Sequence, residues 1–312
     1  MDFKLTTLGT SAAGPVPGRW ASGQYLKTGK TGFLIDCGEG LQIALQQHGL
    51  GWSSVDVILI SHLHGDHIYG LPGLLTSWGL YQRNTPLTII GPANLAPYLN
   101  AVFSYSHTRM PYPVHYVIVD PEVATTLVYE DAMVEVHTIP LVHRVPTAGY
   151  LIREKERPRT ILGTAIKEYQ IPYGVIPAIK EGADFQDESG KVIPNALLTH
   201  DPPPTRSFAY ASDTRPNPDL LPYIKGVDIL FHEATFLHEL ADQAEFSGHS
   251  TARQAAEIAS QAQAKQLILG HFSPRYGDLR PLLAEARAVF PNTALAKEGA
   301  VFEVPYGGRV IE

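Results

Sequence analysis

The 312-residue sequence contains a single cysteine, Cys37. One thiol forms neither an internal disulfide nor a thiolate metal cluster, so any metal must be held by histidine and carboxylate. A lone free cysteine also suits a reducing compartment. No segment has the length and apolarity of a membrane span. The start, Met1-Asp2-Phe3-Lys4-Leu5, lacks the basic entry, apolar run and small-residue cleavage site of an export signal, and reads as a strand. A basic surplus is missing too: 24 Lys and Arg face 31 Asp and Glu, a net charge of −7. That argues against a chain that coats nucleic acid with its whole surface, and leaves room only for a local basic patch. No internal repeat of short period is visible.

What remains is an ordinary globular composition, 44% hydrophobic and 18% charged, long enough to bury a full core without disulfides. Apolar patterning predicts strands at Phe3–Leu8, Gln24–Lys27 and Gly32–Asp36, the last two joined by a turn through Gly29. A short helix is expected over Leu41–His48, then a buried strand over Val55–Ser61. Further strands fall at Leu87–Ile90, Val114–Val119, Val134–Ile139, Ser207–Ser212, Asp228–Phe231 and Gln266–Gly270. Helical spacing covers Thr251–Gln263, with Ser250 as its expected N-cap, and Leu279–Phe290. Two packed sheets flanked by helices follow, an α/β sandwich in four layers, αββα. The segment from Arg153 to Asn195 differs. It is polar and turn-rich, with seven basic and seven acidic residues, and is expected to be an arm inserted into a single domain spanning 1–312, with little apolar surface to bury.

The chemistry concentrates in Ser61-His62-Leu63-His64-Gly65-Asp66-His67. Three imidazoles and a carboxylate within six residues are expensive to pack with nothing to bind. On a glycine-containing turn at the end of a buried strand they can converge on one point, and they are ligands suited to zinc in an open catalytic site. A lone His or Asp after a strand is more often a cap or a surface group. Yet His143, Asp213 and His271 each follow a strand-like run, and that recurrence marks one shared edge of the sheets. His48, His107, His115, His137, His200 and His238 match no such pattern and read as surface or structural. Tyr69 and Trp78 are expected to pack in the core.

The block His62-Leu-His-Gly-Asp-His67 resembles the signature of the metallo-β-lactamase superfamily. Its continuation Gly70-Leu-Pro-Gly-Leu-Leu75 resembles ribonuclease Z, as do Leu8-Gly-Thr10, Asp36-Cys-Gly-Glu39, Leu141-Val-His-Arg-Val-Pro146, Ser212-Asp-Thr-Arg215, His232-Glu-Ala-Thr-Phe236, Gly248-His-Ser-Thr251 and Leu269-Gly-His271. These blocks run in family order over nearly the whole chain. The resemblance implies the metallo-β-lactamase fold and two zinc ions, one on His62, His64 and His143, the other on Asp66, His67 and His271, with Asp213 bridging. It implies Asp66 as proton acceptor, and Glu233 and His249 as the pair that protonates the leaving ribose oxygen. A role for Glu233 in orienting a zinc-bound histidine stands beside that one. Arg19, Arg215, Tyr173 and Gly174 fall where substrate contacts are expected.

The implied activity is removal of the 3′ trailer from precursor tRNA by a cytoplasmic homodimer. Two departures bear on substrate: Trp20 stands where the family has asparagine, and the arm's tip reads Ile171-Pro-Tyr-Gly-Val-Ile-Pro177 with no net basic charge. A zinc phosphodiesterase acting on small phosphodiesters or other nucleic acids is therefore the alternative. A non-catalytic RNA-binding member is expected to lack some of the seven ligands, and here all seven positions are filled.

Overall fold

A computed structural model describes residues 2–306 and 310–312. The chain divides into two compact units, one of Met1–Arg153 with Arg206–Glu312, the other of Glu154–Thr205.

The larger unit holds two seven-stranded sheets. The first takes β1 (Phe3–Gly9), β2 (Gly23–Thr28), β3 (Thr31–Ile35), β4 (Val57–Leu59), β5 (Leu87–Pro92), β6 (Val114–Val119) and β18 (Val301–Glu303), in the order β18-β1-β2-β3-β4-β5-β6. The second takes β7 (Leu127–Glu130), β8 (Val134–Pro140), β9 (Ala148–Glu154), β14 (Ser207–Ala211), β15 (Ile229–Glu233), β16 (Gln266–Gly270) and β17 (Thr293–Leu295), in the order β17-β16-β15-β14-β9-β8-β7. The predicted Val55–Ser61 run pairs only over Val57–Leu59; Ser61 has already left the ladder for a side chain of the site.

Phe3, Phe33, Tyr150, Phe208 and Phe231 interdigitate between the sheets as one core. The outer face of the first sheet packs against α1 (Leu41–Gln47), α3 (Leu71–Leu80) and α4 (Leu95–Tyr105) through Leu41, Leu75 and Leu99. The outer face of the second packs against α8 (Leu221–Ile224), α10 (Ala252–Gln261) and α11 (Arg280–Arg287) through Ile224, Ala255 and Leu282. Three apolar seams thus separate four layers, as patterning predicts. Trp78 lies in the core, whereas Tyr69 does not: it is 65% exposed. Its ring closes over Gly65, where a Cβ would lie 2.2 Å from Tyr69 Cε2. The cap of α10 also differs from expectation. Thr251, not Ser250, is the N-cap, in a reciprocal capping box with Gln254. Ser250 donates instead to the Thr214 carbonyl.

Strands β3 to β6 run parallel, as do β14 to β17. Their carboxyl ends therefore face one way within each sheet, and the loops that leave them share an edge. Three non-glycine residues at those ends adopt positive φ: Asp36 (58°) after β3, Asp213 (57°) after β14 and His271 (55°) after β16. Such backbone is costly for L-residues and persists where surroundings over-determine it.

The smaller unit carries α5 (Gly163–Glu168), α6 (Ile176–Lys180), α7 (Asn195–Leu198) and two short ladders, β10 (Thr160–Ile161) with β13 (Thr199–His200) and β11 (Phe185–Gln186) with β12 (Val192–Ile193). It extends past Asn195 because β13 returns to pair with β10. It also buries more than its composition suggested. Ala165, Ile171, Ile179, Phe185, Ile193 and Leu198 form a small core of their own. The apolar residues are spaced irregularly, so neither helical nor strand periodicity reveals them.

Candidate metal centre

The loop after β4 runs through α2 (Gly65–Ile68) and delivers His62, His64, Asp66 and His67. The loop after β8 delivers His143; the ends of β14 and β16 deliver Asp213 and His271. The donor atoms of His62, His64, His143 and Asp213 lie within 4.8 Å of one another, and so do those of Asp66, His67 and His271. Asp213 faces both groups. Its Oδ1 is 3.9 Å from His62 Nε2 and 3.8 Å from His143 Nε2, while Oδ2 is 3.0 Å from His67 Nε2 and 3.2 Å from His271 Nε2.

The remaining ring nitrogens are anchored. Buried Asp36 accepts from Ser61 N (2.8 Å), Ser61 Oγ (2.9 Å), Tyr210 Oη (2.8 Å) and His67 Nδ1 (2.8 Å), which turns His67 Nε2 towards Asp213. His143 Nδ1 donates to the Gly248 carbonyl at 2.7 Å. A Cβ on Gly248, whose φ is +81°, would sit 2.9 Å from that nitrogen, so glycine is needed there for both space and backbone. His271 Nδ1 lies 3.1 Å from Thr235 Oγ1. Asp66 is fixed by Ala13 N, which donates to Oδ2 at 2.8 Å.

This arrangement fits a metal. His143 Nε2 is buried with no hydrogen-bond partner, and His62 Nε2 confronts His64 Nδ1 at 2.9 Å, two ring nitrogens competing for one region. Burial lowers the His62, His64 and His143 pKa values below the ordinary imidazole range, so these rings are neutral and offer lone pairs. Burial works against charge on Asp213, but His271, His67 and His62 hold it well below the usual carboxylate range. Neutral imidazoles around a buried anion are the donor set of an open catalytic metal site. Asp36→Ala, which removes the carboxylate behind His67, is expected to weaken metal affinity about 10- to 100-fold, measured by competition with a chelating dye.

Glu233 and His249 stand beside this cluster. The Glu233 carboxylate is fully buried. Oε1 accepts from Thr214 N (2.7 Å) and His249 Nδ1 (3.0 Å), Oε2 from Thr235 Oγ1 (2.6 Å) and Ser250 N (3.0 Å). Burial alone would raise its pKa, yet His249 lowers it. A carboxylate so enclosed has no proton to give and no path to substrate. His249 lines the cleft, and its pKa rises to about 9: burial opposes the charge, but Glu233 and its hydrogen bond outweigh that.

Two of the sequence-predicted substrate contacts are otherwise engaged. Arg19 Nη2 donates to the Tyr276 carbonyl at 3.1 Å, and Arg215 Nε bonds the Glu245 carbonyl at 2.9 Å and pairs with its carboxylate. Neither lines the cleft. Tyr173, 85% exposed, and Gly174 belong to the smaller unit. Sequence reasoning missed Arg144, the one Lys or Arg lining the cleft among the described residues, and the anchoring role of Asp36. Position offered a signal for both: Arg144 follows His143 directly, and Asp36 ends the strand beside β4.

Four layers with histidines and aspartates gathered at one sheet edge define a protein of the metallo-β-lactamase fold. The "Beta-lactamase superfamily domain" family model matches residues 176–272, and the "Anti-Pycsar protein Apyc1" model matches residues 3–104. "Ribonuclease Z" of Parabacteroides distasonis is 43% identical over 298 residues, 96% of this chain and 98% of its own. "Ribonuclease Z" of Bacteroides thetaiotaomicron is 43% identical over 296 residues, 95% of this chain and 93% of its own. The crystal structure of human tRNase Z, short form, superposes with a TM-score of 0.69 at 26% identity, covering 97% of this chain and 99% of that one. The chain belongs to the ribonuclease Z family.

Proposed function

We propose that this chain is a zinc-dependent endoribonuclease that removes the 3′ trailer from precursor tRNA. One observation carries the reading: in a member of this family, six ligand-type side chains meet in two groups on either side of a seventh, Asp213, whose two oxygens face one group each. His62, His64 and His143 would hold one zinc, Asp66, His67 and His271 the other, with Asp213 between them. Bound zinc supplies Lewis acidity towards the phosphoryl oxygens and acidifies water.

The chain's own groups do the rest. Asp66, braced by Ala13 N, accepts the proton of the attacking water. His249, charged by its contact with Glu233, delivers a proton to the departing ribose 3′-oxygen, so the tRNA end leaves as a hydroxyl and the trailer keeps the phosphate. Glu233 is a positioning residue; its three other donors, Thr214 N, Thr235 Oγ1 and Ser250 N, fix the direction in which His249 points.

A cytoplasmic site of action follows from the substrate, and no helix among the described residues is long and apolar enough to cross a membrane. A homodimer is the assembly proposed by family resemblance; exposed Leu80, Tyr81 and Tyr105 supply apolar surface for a second copy.

The test is incubation of zinc-loaded protein with a 3′-extended precursor tRNA and with bis-p-nitrophenyl phosphate. Cleavage just after the discriminator base is expected. Hydrolysis of the small ester alone would favour the small-phosphodiester reading, which the inserted unit's lack of a basic surplus supports. Inactivity on both with zinc bound would favour a binding module.

The inserted unit gives a second test. Arg153 and Ser207 are paired across β9 and β14, so residues 154–205 can be replaced by a short turn without breaking the ladder. The shortened protein is expected to lose about tenfold or more in kcat/KM on precursor tRNA, through lost phosphate and surface contacts, and to hydrolyse the small ester unchanged. Equal loss on both substrates would remove the unit's assignment to RNA binding.

A further inference from the structure

One partly buried carboxylate has no part in the chemistry above. Glu298 lies between β17 and β18 and lines no part of the metal cleft. Its Oε1 accepts from Thr10 Oγ1 at 2.8 Å and from Trp20 N at 3.2 Å. Those two residues are the feet of the loop that joins β1 to β2. The feet also meet each other: the Trp20 carbonyl accepts from Thr10 N (3.0 Å) and Ser11 N (2.9 Å). One carboxylate oxygen, 288 positions from Thr10 in the chain, thus clasps the loop at its base.

From the feet the loop crosses to the second sheet. Phe272, the neighbour of His271, donates from its N to the Thr10 carbonyl (2.8 Å), and its own carbonyl accepts from Ala12 N (3.0 Å). Ala13 then turns into the left-handed region, with φ 62°, and its N–H donates to Asp66 Oδ2 at 2.8 Å. A residue with a Cβ keeps such backbone only where its surroundings over-determine it. Only Ser11 and Ala12 separate Thr10 from the amide that orients Asp66. The oxygen held by Ala13 is the one that faces His67 Nε2 (3.6 Å) and His271 Nε2 (3.4 Å). A carboxylate turns easily about its last torsion, so the amide decides which oxygen points at the two rings.

We propose that Glu298 is a positioning residue: by clasping the feet of this loop it sets the Ala13 amide, and through that amide the direction of Asp66. The inference rests on the ligand and proton-acceptor roles proposed for Asp66 above and extends them to a residue outside the cleft.

The test compares Glu298→Ala, which deletes the acceptor, with Glu298→Gln, whose amide oxygen accepts both bonds. The first readout is the Ala13 amide resonance in isotope-labelled, metal-free protein, with Asp66→Ala as the reference for an amide that has lost its acceptor. Glu298→Ala is expected to move that resonance towards the reference, and Glu298→Gln to leave it at the wild-type position. The second is metal affinity, by competition with a chelating dye. Glu298→Ala is expected to weaken one of the two bound equivalents about tenfold, as loss of a group supporting a ligand does, and to leave the other within about twofold. The third is turnover at saturating metal. On bis-p-nitrophenyl phosphate kcat is expected to fall roughly 10- to 100-fold in Glu298→Ala with KM little changed, and Glu298→Gln to recover it.

An Ala13 resonance unmoved in Glu298→Ala overturns the proposal. So does equal weakening of both metal equivalents, the mark of general destabilisation, and so do wild-type metal affinity and turnover beside a shifted resonance. If Glu298→Ala does not fold, Thr10→Val, which removes one of the two donors and keeps the side chain's shape, is read by the same measurements. If instead Asp66→Ala leaves turnover intact, the roles of Asp66 fail, and the Ala13 resonance still decides whether Glu298 sets the loop.

Discussion

Asp66→Ala is expected to abolish hydrolysis of precursor tRNA and of bis-p-nitrophenyl phosphate alike, lowering kcat at least about 10³-fold while RNA affinity stays within roughly tenfold. Asp66 Oδ2 lies 3.6 Å from His67 Nε2 and 3.4 Å from His271 Nε2, and it is the acceptor of the Ala13 amide. On the proposed assignment its removal takes away a ligand and the proton acceptor, together with the brace of the Ala13 loop. Phosphate and sugar contacts away from Asp66 are expected to hold the RNA, so binding is expected to be spared. Single-turnover cleavage rates, with filter binding as the companion measurement, separate the two quantities. Residual activity within tenfold of wild type on either substrate would mean that the metal centre is assigned wrongly.

His249→Ala should divide the two substrates. An alkoxide is a poor leaving group, and general acid catalysis contributes typically 10²–10⁴-fold. A nitrophenolate needs no proton to depart. The substitution is therefore expected to lower kcat on precursor tRNA by about 10²-fold or more and to change small-ester hydrolysis by less than about fivefold. His249 shares a third cluster with Asp213 and His271, but the two groups assigned to zinc leave it out, and its Nδ1, 3.9 Å from Asp213 Oδ1, is committed to Glu233 at 3.0 Å. Glu233→Gln should follow the same pattern more weakly, because it leaves the imidazole in place but uncharged. Equal losses on both substrates, with metal content unchanged, would show that His249 serves the metal centre rather than the leaving group.

Much of this candidate site was legible in the chain because its ligand-type side chains obey local rules. His62 to His67 crowd one loop after an apolar strand, and His143, Asp213 and His271 each punctuate the end of another. Parallel strands bring the ends before His62, Asp213 and His271 to one edge of their own sheets, and the packing of the two sheets and the loop after β8 complete the cluster. What was not legible depends on long-range packing. Tyr210 reaches Asp36 across 174 residues, and nothing near either one announces it. Glu233 reads equally well as acid or brace until four donors are seen closing around it. Arg19 and Arg215 look free in sequence and are occupied in the fold. Tyr69 has the composition of a core residue, but its ring lies over a glycine at the surface. In the smaller unit, a polar, charge-rich composition concealed a compact apolar centre.

The left-handed backbone at Asp36, Asp213 and His271 has an outcome beyond chemistry. Each such conformation costs on the order of 1–3 kcal/mol, and the buried His143 Nε2 beside them lacks a hydrogen-bond partner. Ions that bind only the folded chain offset that deficit by mass action, about 2.7 kcal/mol for an ion present at a hundred times its dissociation constant. Stability of the polypeptide is thereby expected to follow the supply of metal, with starvation for it raising turnover of the protein.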